Sequence, residues 1–290
     1  MITRDDVVAA RETIGGRLHR TPTFSSATLG PNVFLKAELF QRTGSFKPRG
    51  VLTKLASLSA EERAAGVIAV SAGNHAQALA YCAALEGTDA LVVMWATASA
   101  AKIEATRGYG AHVDLEAEGP ATAFDRLEEL QRETGRILVH PFDDPLVAAG
   151  QGTVGLEIGE DVPDVDVVVV PVGGGGLITG IATALPEARI VAVEPTGAPA
   201  LHAALAAGEP VHVRPDSLAD GLHAPFAGRI ALDLAMARSF ESVLVDDDEI
   251  AAAMRFAYER AKLACEPAGA VGIAALQAGK VEVDDAETVV

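Results

Sequence analysis

Lys47 stands between a small-residue turn and a proline, in Gly44-Ser45-Phe46-Lys47-Pro48-Arg49-Gly50. Proline is favoured at the first helical position, so this lysine is expected near a helix N-terminus. The positive end of the helix dipole would depress its pKa there and favour the neutral amine that imine chemistry needs. Two distant segments could work with it. Ser71-Ala72-Gly73-Asn74-His75-Ala76-Gln77 follows an apolar run and opens a helical pattern. Backbone N–H groups at such a strand-to-helix turn suit a carboxylate, and Asn74 offers both donor and acceptor to a ring oxygen. Gly173, Gly174, Gly175, Gly176 and Leu177 follow the apolar run Val167-Val168-Val169-Val170. Glycines there let the backbone close around a phosphate at a helix N-terminus. Taken singly, each segment has a plainer reading: a surface charge, helix caps at Ser71 and Asn74, and a tight turn. Neither GxGxxG nor GxxxxGK[ST] is matched, so a compact monophosphate fits better than a dinucleotide or ATP. An amine nucleophile, a phosphate cradle and a polar ring contact outline a site for an aldehyde-bearing, phosphorylated ring. Pyridoxal phosphate (PLP) carries those groups.

These residues need a scaffold. β-branched runs at 33–36, 66–70, 90–94, 137–139, 167–171, 190–193 and 242–245 read as strands. Ala-rich amphipathic stretches at 49–57, 76–86, 98–108, 121–134, 147–158, 176–184, 198–206, 230–237, 247–263 and 268–278 read as helices. Such alternation predicts an α/β fold with mostly parallel sheet, and fully apolar strands fit a sheet covered on both faces. Asp246 to Glu249 place negative charge at a helix start, and Ser59 with Glu62 resembles the capping box of a brief helix. Residues 284–290 read as a turn entering a strand that breaks off.

Composition narrows the partners. With 23 basic and 40 acidic residues the net charge is −17, which disfavours nucleic acid. Hydrophobic residues make up 49% and aromatics only 4%, so the core must be built from Ala, Val, Leu and Ile. No run reaches the ~18 apolar residues of a membrane span, and no basic-then-apolar leader opens the sequence. Cys82 and Cys265 are lone thiols that read as small buried hydrophobes, and a reduced, cytoplasmic setting is expected. His75 has no second His or Cys at ligand spacing, so a packing or backbone role is expected for it.

In order along the chain, the motifs resemble those of the fold-type II PLP enzymes, in the serine/threonine dehydratase and serine racemase branch. Lys36 to Lys47 look like that branch's lysine segment, Ser71 to Gln77 its substrate loop and Pro171 to Leu177 its phosphate loop. Ala149-Gly150-Gln151-Gly152-Thr153, Ala219-Asp220-Gly221 and Glu266-Pro267-Ala268-Gly269-Ala270 match as well. The resemblance covers almost the whole chain. It implies two domains, each an open, mostly parallel sheet flanked by helices, similar to the tryptophan synthase β-subunit. Residues 45–145 would form a small mobile domain that closes on substrate, and residues 1–44 with 146–290 a large PLP-binding domain. Lys47 would bind the PLP aldehyde and later act as general base. Phe46 would pack near the ring, and Asn74 would bond its oxygen. Gly173, Gly174, Gly175, Gly176 and the Leu177 amide would hold the phosphate. Gly221 and Glu266 would line the other flank. Ser71, Ala72, Gly73, Asn74 and His75 would surround the substrate carboxylate. A homodimer is implied by analogy.

Two departures shape the expected activity. The racemase uses a serine directly after the loop's first serine as the acid/base on the second face of the substrate. Here that position is Ala72, which carries no proton, so one-face elimination is favoured. The expected activity is an L-threonine/L-serine ammonia-lyase. Alternatives are a dehydratase of another β-hydroxy amino acid such as 3-hydroxyaspartate, a serine racemase, or a non-catalytic PLP-binding protein. The family's Ser or Cys partner of the pyridine nitrogen would fall beyond Val290. The resemblance implies a mono- or divalent cation site at Glu194 and the Ala198 carbonyl, but Ala200 stands where relatives have the third, acidic ligand. The competing role for Glu194 is a structural cap.

Overall fold

The computed structural model describes the backbone of residues 1–290 and the side chains of all but residues 120 and 121. The strands are β1 (Thr23–Ser25), β2 (Phe34–Lys36), β3 (Val67–Val70), β4 (Ala90–Trp95), β5 (His112–Ala117), β6 (Ile137–Leu138), β7 (Val167–Pro171), β8 (Arg189–Pro195) and β9 (Glu241–Val245). The helices are α1 (Arg4–Ile14), α2 (Lys47–Ala56), α3 (Ala60–Ala65), α4 (Asn74–Glu86), α5 (Ala100–Gly108), α6 (Pro120–Thr134), α7 (Pro145–Asp161), α8 (Gly176–Ala184), α9 (Ala200–Ala207), α10 (Arg229–Arg238), α11 (Asp247–Phe256) and α12 (Pro267–Gln277).

Two parallel sheets dominate. One runs β5-β4-β3-β6 and the other β7-β8-β9, while β1 and β2 form an antiparallel pair. Both sheets are covered on both faces. Val67 and Ala69 of β3 face one apolar cluster, and Ile68 and Val70 face another, as the two-residue period of a strand requires. Val167 and Val168 of β7 divide in the same way. The chain is thus α/β with parallel sheets flanked by helices. Residues 288–290 lie between β2 and β7, with Val289 bridged to both Val33 and Val167, so the antiparallel pair is joined to the second sheet.

Some elements lacked a clear signal. β5 (His112-Val113-Asp114-Leu115-Glu116-Ala117) is an edge strand with few buried residues, and its acids pair with Arg126 of α6 rather than supply an apolar run. α1 is announced only by the capping box of Thr3 and Asp6, and β1 by three residues, none buried. The helix expected over 247–263 is interrupted: α11 ends at Phe256, a π turn spans Ala257–Ala261, and Lys262 closes it at φ 61°. The expected capping boxes at Ser59/Glu62 and Asp246/Glu249 are both formed.

Candidate active site

The position of Lys47 follows from helix packing. Lys47 is the first residue of α2, with Pro48 next, and α2 lies directly on α7. A Cβ on Gly50 would come within 2.5 Å of the Val147 carbonyl, and one on Gly150 would come 2.5 Å from the Arg49 carbonyl. The opposite side of α7 meets α8 as closely: a Cβ on Gly180 would lie 2.3 Å from the Gly152 nitrogen. Small residues at these contacts let the backbones touch, so α7 sets the spacing between the lysine helix and the glycine-loop helix. This is the physical role of the 149–153 motif.

Buried charge fixes α2 further. Arg49 is only 2% exposed and donates to Glu38 and Glu157, with Nη1–Oε1 of Glu157 at 2.6 Å. Lys36 pairs with Glu157 at 2.8 Å. Burial pushes the Glu157 carboxyl up, but the Arg49 and Lys36 contacts outweigh it and hold the group below its usual range. A buried pair stabilises only when its hydrogen bonds are satisfied, and here several partners share the charge.

One cavity of about 530 Å³ brings the chemistry together. Phe46, Lys47, Asn74, Gly173, Gly174, Gly175, Gly176, Leu177, Gly221 and Glu266 all line it. The Lys47 nitrogen donates to the Pro141 carbonyl at 3.0 Å and lies 5.2 Å from the Phe46 ring centroid. Its pKa falls to about 8 because burial around the nitrogen disfavours charge, with the Glu266 carboxylate opposing. Burial is therefore the identified cause of the lowering. Asn74 donates to Glu266 at 2.7 Å, which joins the start of α4 to the start of α12. Burial raises the Glu266 pKa, and the Asn74 hydrogen bond works against it.

The glycine loop is shaped by its neighbours. A Cβ on Gly174 would lie 2.2 Å from the Phe142 ring, and one on Gly175 would lie 2.3 Å from Ala231 Cβ. Gly175 also adopts φ 93°, a conformation that costs other residues energy. A Cβ on Gly173 would lie 3.1 Å from the Leu222 backbone, and one on Gly176 3.1 Å from that of Phe142. The result is a concave turn of backbone at the end of β7 opening α8, the arrangement that binds anions.

The Ser71–His75 loop is less enclosed. Ser71, Ala72, Gly73 and Asn74 are half-buried, and only Asn74 reaches the cavity wall. Ser71 Oγ accepts from the Gly73 amide at 3.2 Å, so Ser71 shapes the turn and does not cap α4, whose N-cap is Gly73. His75 is 2% exposed, and its Nε2 donates to the Val139 carbonyl at 2.9 Å. Burial and the nearby Lys47 charge lower its pKa to about 3, so it stays neutral. It thus holds backbone, and its side chain forms no part of the cavity wall.

Other site residues gave no sequence signal of their own. Thr43 sits at φ 62° with Oγ1 buried and unpartnered, and Ser45 Oγ is buried and unpartnered too. Both line the cavity. Strain and orphaned polar atoms at one site mark a place built for a ligand. Phe142 and Pro141 belong to the site only through the tertiary fold. Glu194 turns away from it: its oxygens accept from the Leu201 and His202 amides, both at 2.7 Å. Its pKa rises to about 7 through burial, with these amides opposing. The carboxyl therefore caps α9, and no group of three metal-ligating side chains converges among the described residues.

A phosphorylated aldehyde fits these residues: a buried low-pKa amine, a glycine cradle closed to any Cβ, and unpartnered hydroxyls lining the same cavity. Comparison with known proteins agrees. The profile of the pyridoxal-phosphate dependent enzymes matches residues 14–290. The chain is 46% identical over 286 residues to the L-threonine ammonia-lyase of Thermotoga maritima, covering 95% of this chain and 71% of that protein. It is 40% identical over 287 residues to a catabolic L-threonine dehydratase of Escherichia coli K12, covering 96% and 87%. The structure of maize serine racemase superposes with a TM-score of 0.93 at 36% identity, covering 99% of this chain and 91% of that one. With a buried amine at the glycine cradle and a match across nearly its whole length, this chain belongs to the pyridoxal-phosphate dependent enzyme family.

Proposed function

We propose that the chain is an ammonia-lyase acting on L-threonine and L-serine, giving 2-oxobutanoate or pyruvate and ammonia. The relatives at 46% and 40% identity are named for threonine. The carrying observation is the buried Lys47 amine in a chain that has Ala72 where the racemase branch has serine. Lys47 supplies a buried amine whose pKa of about 8 leaves an appreciable neutral fraction at physiological pH. Ala72 leaves the second face of the substrate without the hydroxyl that a racemase needs.

PLP, when bound, supplies the aldehyde and the electron-withdrawing ring. The chain supplies the rest. Gly173, Gly174, Gly175, Gly176 and the Leu177 amide would hold the phosphate, and Asn74 the ring oxygen. Phe46 would bound the ring, and Gly221 and Glu266 its far flank. The Ser71–His75 backbone would bind the substrate carboxylate and so direct the Cα–H bond at Lys47, a positioning effect. Lys47 would then take the α-proton. In the same reading, residues 45–145 move as a unit over residues 1–44 and 146–290, and two copies associate in the cytoplasm. Threonine and serine differ by one methyl, worth only ~1–3 kcal/mol, so activity on both is expected.

The test is product analysis of the PLP-loaded protein with L-threonine and L-serine. Keto acid and ammonia without D-serine are expected. D-serine as the main product would replace this reading with the racemase that the maize structure represents. PLP binding without turnover of either would leave a narrower β-hydroxy amino acid or a non-catalytic role.

A further inference from the structure

We infer that His140 is a positioning residue for Lys47: its unprotonated Nδ1 holds the 140–143 turn in the shape that aims the Pro141 carbonyl at the lysine nitrogen. The inference builds on the proposed role of Lys47, but its geometry stands apart from the substrate. Nδ1 of His140 accepts from the Asp143 amide at 2.8 Å and the Phe142 amide at 3.3 Å. Backbone amides can only donate, so Nδ1 carries no proton and any hydrogen sits on Nε2. Between those amides and the ring lies Pro141, whose carbonyl receives Lys47 Nζ at 3.0 Å.

The same turn reaches the other half of the site. The Phe142 ring stacks edge-on against His140, with centroids 4.7 Å apart, and forms the wall that Gly174 abuts. The Asp143 carboxylate accepts from the Arg229 and Ile230 amides at the start of α10. One residue before the turn, His75 holds the Val139 carbonyl. A change of proton at His140 would therefore be felt by both the amine and the glycine cradle.

Protonation would turn Nδ1 into a donor facing two donors. The turn would have to release both amides and with them the Pro141 carbonyl. The charged groups facing His140 are Asp143 and Asp144 on its own segment and Lys47 packed against it; His75 is a neutral neighbour. Burial lowers the His140 pKa, Lys47 adds to this, and the two aspartates oppose it. The neutral form thus prevails at physiological pH, and the turn loosens on acidification below that lowered value.

Two substitutions separate positioning from mere packing. His140→Asn keeps an acceptor, because an Asn side-chain oxygen can accept from the amides two and three residues on. His140→Phe keeps the ring and loses the acceptor. In the cofactor-free protein, ¹⁵N NMR of the imidazoles should show the Nε2–H form of His140 near neutral pH. The rate at which formaldehyde and cyanoborohydride methylate Lys47, read by peptide mass, should change in His140→Phe and be restored in His140→Asn. In wild type, that rate should break at the pH where the His140 signal titrates; in His140→Asn this break should vanish. With PLP added, kcat should fall about tenfold in His140→Phe with KM little changed, as for a lost orienting contact. An Nδ1–H form at neutral pH, or Lys47 methylation identical in all three proteins across the pH range, would overturn the inference. Absence of a PLP band in wild type would instead overturn the functional reading, because the NMR and methylation measurements need no cofactor.

Discussion

Two loops of this molecule share one construction and differ in stiffness. β3 runs into Ser71–Gly73 and α4, while β7 runs into Val172–Gly175 and α8. Each offers backbone N–H groups at the C-terminal end of a parallel strand, where anions bind. The glycine loop is enclosed by Phe142, Leu222 and Ala231, so its shape exists before any ligand arrives. The Ser71 loop has open space around it: a Cβ on Gly73 would meet nothing within 4 Å. A cofactor that stays bound is best held by the enclosed loop, and a substrate that enters and leaves each cycle by the open one. Topology supplies the anion site, and the neighbouring side chains decide how rigid it is.

The largest break should come from Lys47, the proposed attachment point. Lys47→Ala should remove the PLP imine absorbance and cut keto acid formation by at least about 10³-fold, as loss of a nucleophile and base does. Persistence of the band would move the attachment point elsewhere. Next, Gly174→Ala should weaken PLP binding. Overpacking of about 1–3 kcal/mol corresponds to about 5- to 150-fold in affinity by titration. Trimming the obstructing ring with Phe142→Ala in the same chain should recover part of that loss; an additive loss would mean that the ring is not the obstacle.

Acid should act through His75, just after the open loop. Its pKa is about 3 in the fold against an ordinary 6.5. The unfolded chain therefore binds the extra proton first, and stability is lost as pH falls from 6.5 towards 3. The steepest slope expected from one such group is about 1.4 kcal/mol per pH unit. Denaturant titrations over that range should show a shallower slope in His75→Gln than in wild type. The smallest effect is expected at Gly73, where φ is negative and an added Cβ would meet nothing within 4 Å. Gly73→Ala should leave PLP affinity within about twofold, like other substitutions into open space, and act if at all on KM. A loss as large as that of Gly174→Ala would erase the distinction between the loops.

Much of this was legible in the chain. Residue type and order picked out Lys47, Asn74 and the four glycines, because imine chemistry and phosphate binding each demand a particular residue at a strand-to-helix turn; Gly221 and Glu266 came only from the family resemblance. The alternation of β-branched and Ala-rich runs likewise required parallel sheet, since strands buried on both faces lack a polar side. Elements with little buried surface, such as β5 and β1, left no such pattern.

The tertiary structure decided what depends on neighbours from elsewhere in the chain. The low pKa of Lys47 comes from burial in the assembled cavity, a property that no local sequence carries. The wall of the glycine loop is Phe142, and the carbonyl on the lysine is Pro141; both arrive from a turn between β6 and α7. Glu194 is a helix cap because α9 presents its amides there. Residue chemistry is local and is written in the sequence. Burial, distance and hydrogen-bond partner are set by packing between segments far apart, and exist only once the chain has folded.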